Sequence, residues 1–153
     1  MKILVMSDSH GRVNNMLRAI ELEAPDVILH LGDNIGDCAD IASLHPEILL
    51  RAVRGNCDRS SQGLDVDEFV LESKRFVMTH GHLFNVKLGR ADIKRSAASR
   101  GADILLFGHT HTPHQSYADE MLILNPGSIG VGTENYATLE IRSGAVSYEL
   151  KRL

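Results

Sequence analysis

Short continuous apolar runs alternate with helical periodicity over the first third of the chain. Ile3-Leu4-Val5-Met6 predicts a buried strand, and Val13, Met16, Leu17 and Ile20, spaced i, i+3, i+4, i+7, predict a helix that stops at Pro25. Val27-Ile28-Leu29 predicts a second buried strand, Asp37–Leu44 a helix, and residues 48–53 a third strand. This succession is α/β with a largely parallel sheet. The middle differs. Residues 66–71 and 76–78 flank Glu72-Ser73-Lys74 as an antiparallel hairpin, and a helix over about 88–100 is stopped by Gly101. Residues 104–107 and 121–124 are further continuous runs, read as inner strands. At the end, Ala137, Leu139 and Ile141 alternate with polar positions, Arg142-Ser143-Gly144 turns, and Val146, Tyr148 and Leu150 alternate back. That is a hairpin with one buried face. Two packed sheets with outer helices accommodate the whole pattern.

At 153 residues, one domain over 1–153 is expected, large enough to bury its own core. There is no internal repeat, low-complexity tract or linker, and residues 55–63, the longest stretch without periodicity, read as a binding loop. With 20 acidic against 16 basic residues and no basic block, long nucleic acid is not an expected partner. Lys87, Arg90, Lys94, Arg95 and Arg100 read as the solvated exterior of their helix. Cys38 and Cys57 form no C-x-x-C pair, which argues against a disulfide framework or zinc ribbon and for a reducing compartment. The apolar start is broken by Ser7-Asp8-Ser9-His10, too early for a signal-peptide core or a membrane span. A cytoplasmic protein without membrane attachment is expected.

Half of the eight histidines fall in five motifs, each just after an apolar run: Asp8-Ser9-His10, Gly32-Asp33-Asn34, Gly55-Asn56-Cys57-Asp58, His80-Gly81 and Gly108-His109-Thr110-His111. Alone, each has a plain alternative. Asp8 caps a helix as readily as it binds a metal, Gly32-Asp33 and Gly55-Asn56 make turns, and His80 suits a core or turn position. Gly108-His109-Thr110-His111 speaks most strongly, because extended backbone alternation would aim two imidazoles at i, i+2 the same way, as it would Asp8 and His10. Together, ligand-type side chains beyond five strand ends converge where open α/β sheets carry their ligands, and Asp, His and Asn suit borderline-hard divalent ions.

In this order the motifs resemble those of the calcineurin-like metallophosphoesterase superfamily, and Asn125-Pro126-Gly127-Ser128 is similar to a segment of its small bacterial and archaeal phosphodiesterase branch. The resemblance implies a four-layer α/β sandwich: two facing mixed β-sheets flanked by helices. It implies two divalent metal ions, manganese first among Mn, Fe, Zn, Ni and Co. Asp8, His10 and His111 would hold one, Asn56, His80 and His109 the other, and Asp33 would bridge them. Ions sharing a carboxylate sit about 3.5–4 Å apart, close enough for a bridging hydroxide to attack a phosphodiester in line. Cys57 departs from the histidine that much of the superfamily has there, and a thiol is a poor leaving-group acid, more so if metal charge lowers its pKa. Esters with good leaving groups are therefore expected. Asp58, Cys57 and His82 are the candidate catalytic residues, with Asp58 read equally as a loop-orienting group. His82 and His114 are candidate acids or phosphate contacts, with a solvated loop histidine as the plainer reading of each. His30 would support Asp33 from behind, and His45 is expected at the surface. Leu83, Phe84 and Leu88 could line a substrate wall or a subunit contact, though core packing explains them equally. A phosphomonoesterase of small metabolites and a non-catalytic scaffold of the same fold are the alternatives, and the resemblance is compatible with a homodimer.

Overall fold

The first apolar run becomes β1 (Lys2–Met6) in the computed structural model, which describes residues 1–58, 63–130 and 132–153. Then comes α1 (Val13–Glu23), closed by Ala24, whose left-handed φ of 42° lets its N–H donate to the Ile20 carbonyl before Pro25 blocks another turn. After β2 (Val27–His30), α2 (Asp37–Leu44) and β3 (Leu49–Ala52), the chain crosses to β4 (Val66–Leu71) and β5 (Lys74–Thr79). A 3-10 turn at His82–Phe84, α3 (Ala91–Ser99), β6 (Ile104–Phe107), β7 (His114–Ala118) and β8 (Met121–Asn125) follow. The chain returns to the first sheet in β9 (Asn135–Arg142) and β10 (Ala145–Arg152).

One sheet runs β10-β9-β1-β2-β3, the other β4-β5-β6-β8-β7. Each has a parallel centre, β1-β2-β3 and β5-β6-β8, and antiparallel flanking strands. Ile3, Val5, Val27 and Leu29 face Phe76, Met78, Leu106 and Leu124 in the core between the sheets. Alternate residues of the same strands pack outward: Leu4, Met6 and Ile28 on Met16, Ile20 and Ile41 of α1 and α2, and Val77, Leu105 and Phe107 with Ile93 and Ala97 of α3. This is the expected four-layer sandwich. Strands covered on both faces must be apolar throughout, which is why their runs are continuous. At one edge Arg51 of β3 clamps Asp67 of β4 through two bonds of 2.8 and 2.9 Å, its guanidinium 4.4 Å from the Phe69 ring centroid, and so ties the two sheets together.

Four elements differ from expectation. Glu72 and Ser73 alone make the first hairpin turn, both at positive φ (47° and 62°), and Lys74 pairs with Leu71. Likewise Ser143-Gly144 make the last turn, with Arg142 paired to Ala145. α3 begins at Ala91 and not at 88, because residues 85–88 form turns that leave Leu88 90% exposed. β7 was not expected at all. Of the loop over 55–63, residues 59–62 lie outside the described residues.

Candidate metal centre

Asp8, His10, Asp33, His109 and His111 all stand at the ends of parallel strands with left-handed backbone, φ 55°, 46°, 61°, 66° and 57°. Each such conformation costs about 1–3 kcal/mol for a side-chain-bearing residue, and clusters of them mark functional sites. They also correct the expectation from extended alternation. Tight left-handed turns, not strand pleating, aim Asp8 with His10 and His109 with His111 at one place. Two glycines make room. A Cβ on Gly55 would lie 2.1 Å from Asp33 Oδ1, and one on Gly108 would lie 2.0 Å from Ser7 Oγ.

Six of the seven candidate ligands draw together. His111 Nε2 is 3.1 Å from Asp8 Oδ1 and 3.5 Å from His10 Nε2, which is itself 4.0 Å from Asp33 Oδ2. His80 Nε2 lies 3.5 Å from Asp33 Oδ1, 3.9 Å from Asp8 Oδ1 and 3.2 Å from His109 Nδ1. Its other nitrogen, Nδ1, is 2.8 Å from the Leu31 carbonyl, which only accepts, so the proton sits on Nδ1 and Nε2 offers a lone pair to the centre. Asn56 is exposed beside this cluster, its amide nitrogen 3.4 Å from Cys57 Sγ.

Asp8 is fully buried, and burial first, then the Asp33 charge, pushes its carboxyl up to about 7 against the hydrogen bond from Ser7. Ser7 Oγ and the His109 N–H both donate to Asp8 Oδ2, while Asp8 Oδ1 has no hydrogen-bond partner among the described residues. Burial also lowers His80 to about 4, with Asp33 pulling the other way. A buried carboxylate oxygen with no hydrogen bond among the described residues, near the lone pair that His80 offers, is costly unless a cation completes it. The donors therefore fit divalent ions, and two ligand triads, Asp8/His10/His111 and Asp8/Asp33/His80, have donor atoms within 4.8 Å of one another. His109 and His111 are lowered by burial and then by the charge of Lys87, an exposed residue of the turn before α3 and not of the helix exterior.

Around this cluster runs a layer of buried polar groups. Asp58 holds two loops together: its Oδ2 accepts from the N–H of Asp33 (2.9 Å) and Gly55 (2.8 Å), its Oδ1 from that of Ile35 (2.9 Å). Asp37 does the same for the first loop, accepting from Ser9 Oγ and the Gly11 N–H. Asn125 donates to the Gly108 carbonyl at 2.9 Å, and Ser128 to that of Asp8 at 2.9 Å, so the Asn125-Pro126-Gly127-Ser128 segment braces two ligand loops. His30 is buried against Ser9 Oγ and the Gly32 N–H, next to the Asp33 turn. Ser7 and Asp37 were not found from the sequence, since the only trace of their role is a small or acidic residue next to a loop.

Of the other candidates, Asp58 has the contacts of a positioning residue. Cys57 is exposed, its N–H donating to Asp33 Oδ1 at 2.9 Å. Without metal, burial and then the Asp33 carboxylate push its thiol up. His82 lies tilted at 54° to His80, ring centroids 5.4 Å apart, with Nδ1 buried and without a hydrogen bond among the described residues. It lines a cleft of about 320 Å³ with Arg54, Asn56, Asp65 and Leu83. His114 is engaged elsewhere, 3.2 Å from Arg90 and 3.0 Å from Ser116. His45 is a surface residue beside Glu47. Of the basic face, Arg100 pairs with Glu68 and Arg95 with Asp92. Leu83 and Leu88 are exposed where core packing was an option, and only Phe84 packs inward.

This fold and this centre belong together: residues 1–144 match the family described as the calcineurin-like phosphoesterase superfamily domain, and the chain belongs to that superfamily. It is 32% identical to the probable metallophosphoesterase YsnB of Bacillus subtilis, over 96% of this chain and 88% of that protein. To the phosphodiesterase MJ0936 of Methanocaldococcus jannaschii it is 28% identical, over 83% of each. Among solved structures, a predicted phosphoesterase of Streptococcus pneumoniae superposes with a TM-score of 0.81 at 29% identity, covering 99% of this chain and 88% of that one. Vps29 of Entamoeba histolytica superposes at 0.79 with 19% identity, over 100% and 99%, a likeness of fold alone. No helix is long and apolar enough to cross a membrane among the described residues.

Proposed function

We propose that this chain is a single-domain, cytoplasmic, metal-dependent phosphodiesterase with a dinuclear centre. Asp8, His10 and His111 would hold one ion, Asn56, His80 and His109 the second, and Asp33 both. The observation that carries the reading is Asp8 Oδ1, buried, without a hydrogen bond among the described residues and 3.1 Å from the Nε2 of His111. A protein-interaction scaffold has no use for so costly a group, and the name of the MJ0936 relative supports the diester over the monoester.

Divalent ions bound there supply Lewis acidity toward phosphoryl oxygens and a nucleophile from water near neutral pH. The chain's own residues do the positioning. Leu31 fixes the His80 tautomer, Asp58 sets the Asp33 and Gly55 turns, and Ser7 orients the Asp8 carboxylate. His82, whose ring lies 5.4 Å from that of His80, would offer a hydrogen-bonding ring, and Lys87, whose charge acts on His109 and His111, a cation, to a phosphoryl or leaving group. Cys57 in the leaving-group position has little power to protonate an alkoxide, so diesters with acidic leaving groups are the preferred class. The test is metal stoichiometry. Calorimetric titration of metal-stripped protein with Mn²⁺ should saturate at two ions per chain, and Asp8→Asn should lose at least one. Saturation at one ion, or none, overturns the dinuclear reading.

A further inference from the structure

Besides the two all-nitrogen-and-oxygen triads, a third set of donors comes together: His10, Asp33 and Cys57 offer atoms within 4.8 Å of one another. It alone contains sulfur. Side-chain rotation closes such a spread to the roughly 3.5 Å between ligands around a tetrahedral ion. Cys57 is exposed and its backbone is tied to Asp33 Oδ1, so the thiol can swing without loss of the loop, and the Asn56 amide nitrogen, 3.4 Å from Sγ, is a donor suited to a sulfur anion.

We propose that His10, Asp33 and Cys57 form a thiophilic-metal subsite within the centre, through which Cys57 gives Zn²⁺ and Cd²⁺ a tighter hold than Mn²⁺. The inference rests on the dinuclear reading above and adds to it a ligand that discriminates between ions. Thiolate is a soft ligand that favours Zn²⁺ and its heavier relatives, whereas Mn²⁺ is served by oxygen and imidazole and gains little from sulfur. On binding, the S–H bond breaks, its electron pair passes to the ion and its proton leaves to bulk water. Nothing is oxidised or reduced. Cys57 thus makes the ion held there depend on more than supply.

The experiment titrates metal-stripped wild type, Cys57→Ser and Cys57→Ala with Co²⁺, Zn²⁺ and Mn²⁺ separately, by calorimetry and near-ultraviolet absorption. The expected result is a thiolate-to-cobalt charge-transfer band in wild type that both variants lack, with Zn²⁺ affinity at least tenfold weaker in the variants and Mn²⁺ affinity within twofold. No band in wild type, a band that persists in the variants and so belongs to Cys38, or equal Zn²⁺ affinity in all three overturns the subsite while leaving two-ion Mn²⁺ binding intact. Failure of Mn²⁺ to bind any of the proteins overturns the dinuclear reading and the subsite with it.

Discussion

Asp58→Asn changes almost nothing in volume and a great deal in hydrogen bonding. The carboxylate accepts from three backbone N–H groups among the described residues, two at Oδ2 and one at Oδ1. An amide offers one acceptor and one NH₂. With its oxygen toward Asp33 and Gly55, the NH₂ meets the Ile35 N–H donor to donor, so one charge-assisted bond is lost and two become neutral. Bonds to a charged group contribute about 1.5–3 kcal/mol each and neutral ones about 1, so three charged bonds replaced by two neutral ones put the destabilisation at roughly 2.5–7 kcal/mol. These loops carry Asp33 and Asn56, so Mn²⁺ affinity should fall at the same time. Urea unfolding gives the first quantity and calorimetry the second. A variant as stable as wild type would refute the bracing role. One that is stable and binds Mn²⁺ normally but is inactive would show that Asp58 acts on the reacting groups instead.

Far from the centre, Glu23 is buried among Lys2 (2.7 Å), Lys151 (3.1 Å) and Tyr136 (2.8 Å), and although burial alone would raise its carboxyl, these partners bring it from an ordinary 4.5 down to about 2. A lowered carboxyl stabilises the fold fully above its unfolded pKa and loses that contribution as pH falls through the folded one. Glu23→Gln should therefore cost roughly 2–3 kcal/mol at pH 7, with the gap closing between about pH 4.5 and 2; a gap that stays constant to pH 2 contradicts the assignment. Gly55→Ala puts a methyl 2.1 Å from Asp33 Oδ1 and should destabilise by about 1–3 kcal/mol while weakening Mn²⁺ binding at least tenfold. Unchanged binding would mean that the Asp33 carboxylate is not held in contact with that glycine. Cys57→His should raise monoester turnover more than diester turnover, since it adds a proton donor that poor leaving groups need. Equal change in both rates removes this account of Cys57.

Strands with both faces covered were plain in the sequence, because the continuous apolar runs of β1, β2, β6 and β8 are stable only if something lies on each side. β7 was not, since His114-Gln115-Ser116-Tyr117-Ala118 is a half-polar edge strand whose partner is β8 alone. Its pairing is decided by β8, not by its own pattern. Leu88 sat at helical spacing but in a turn, where periodicity has no meaning. The ligand types and their order were legible because chemistry restricts which side chains can serve. Their convergence was not legible in the way expected, because left-handed backbone at Asp8, His10, His109 and His111 is imposed by contacts remote in sequence, such as Ser128 on Asp8 and Asn125 on Gly108. Supporting residues such as Asp37 and Ser7 show themselves only once those loops are side by side.

The central claim is that these loops hold ions that cleave a phosphodiester. The most direct measurement is hydrolysis of a chromogenic aryl phosphodiester, beside the matching monoester, by metal-stripped protein with and without added Mn²⁺. Diester cleavage that is absent without metal, returns with it and exceeds monoester cleavage is the predicted result. Failure to cleave either ester at any Mn²⁺ concentration would contradict it.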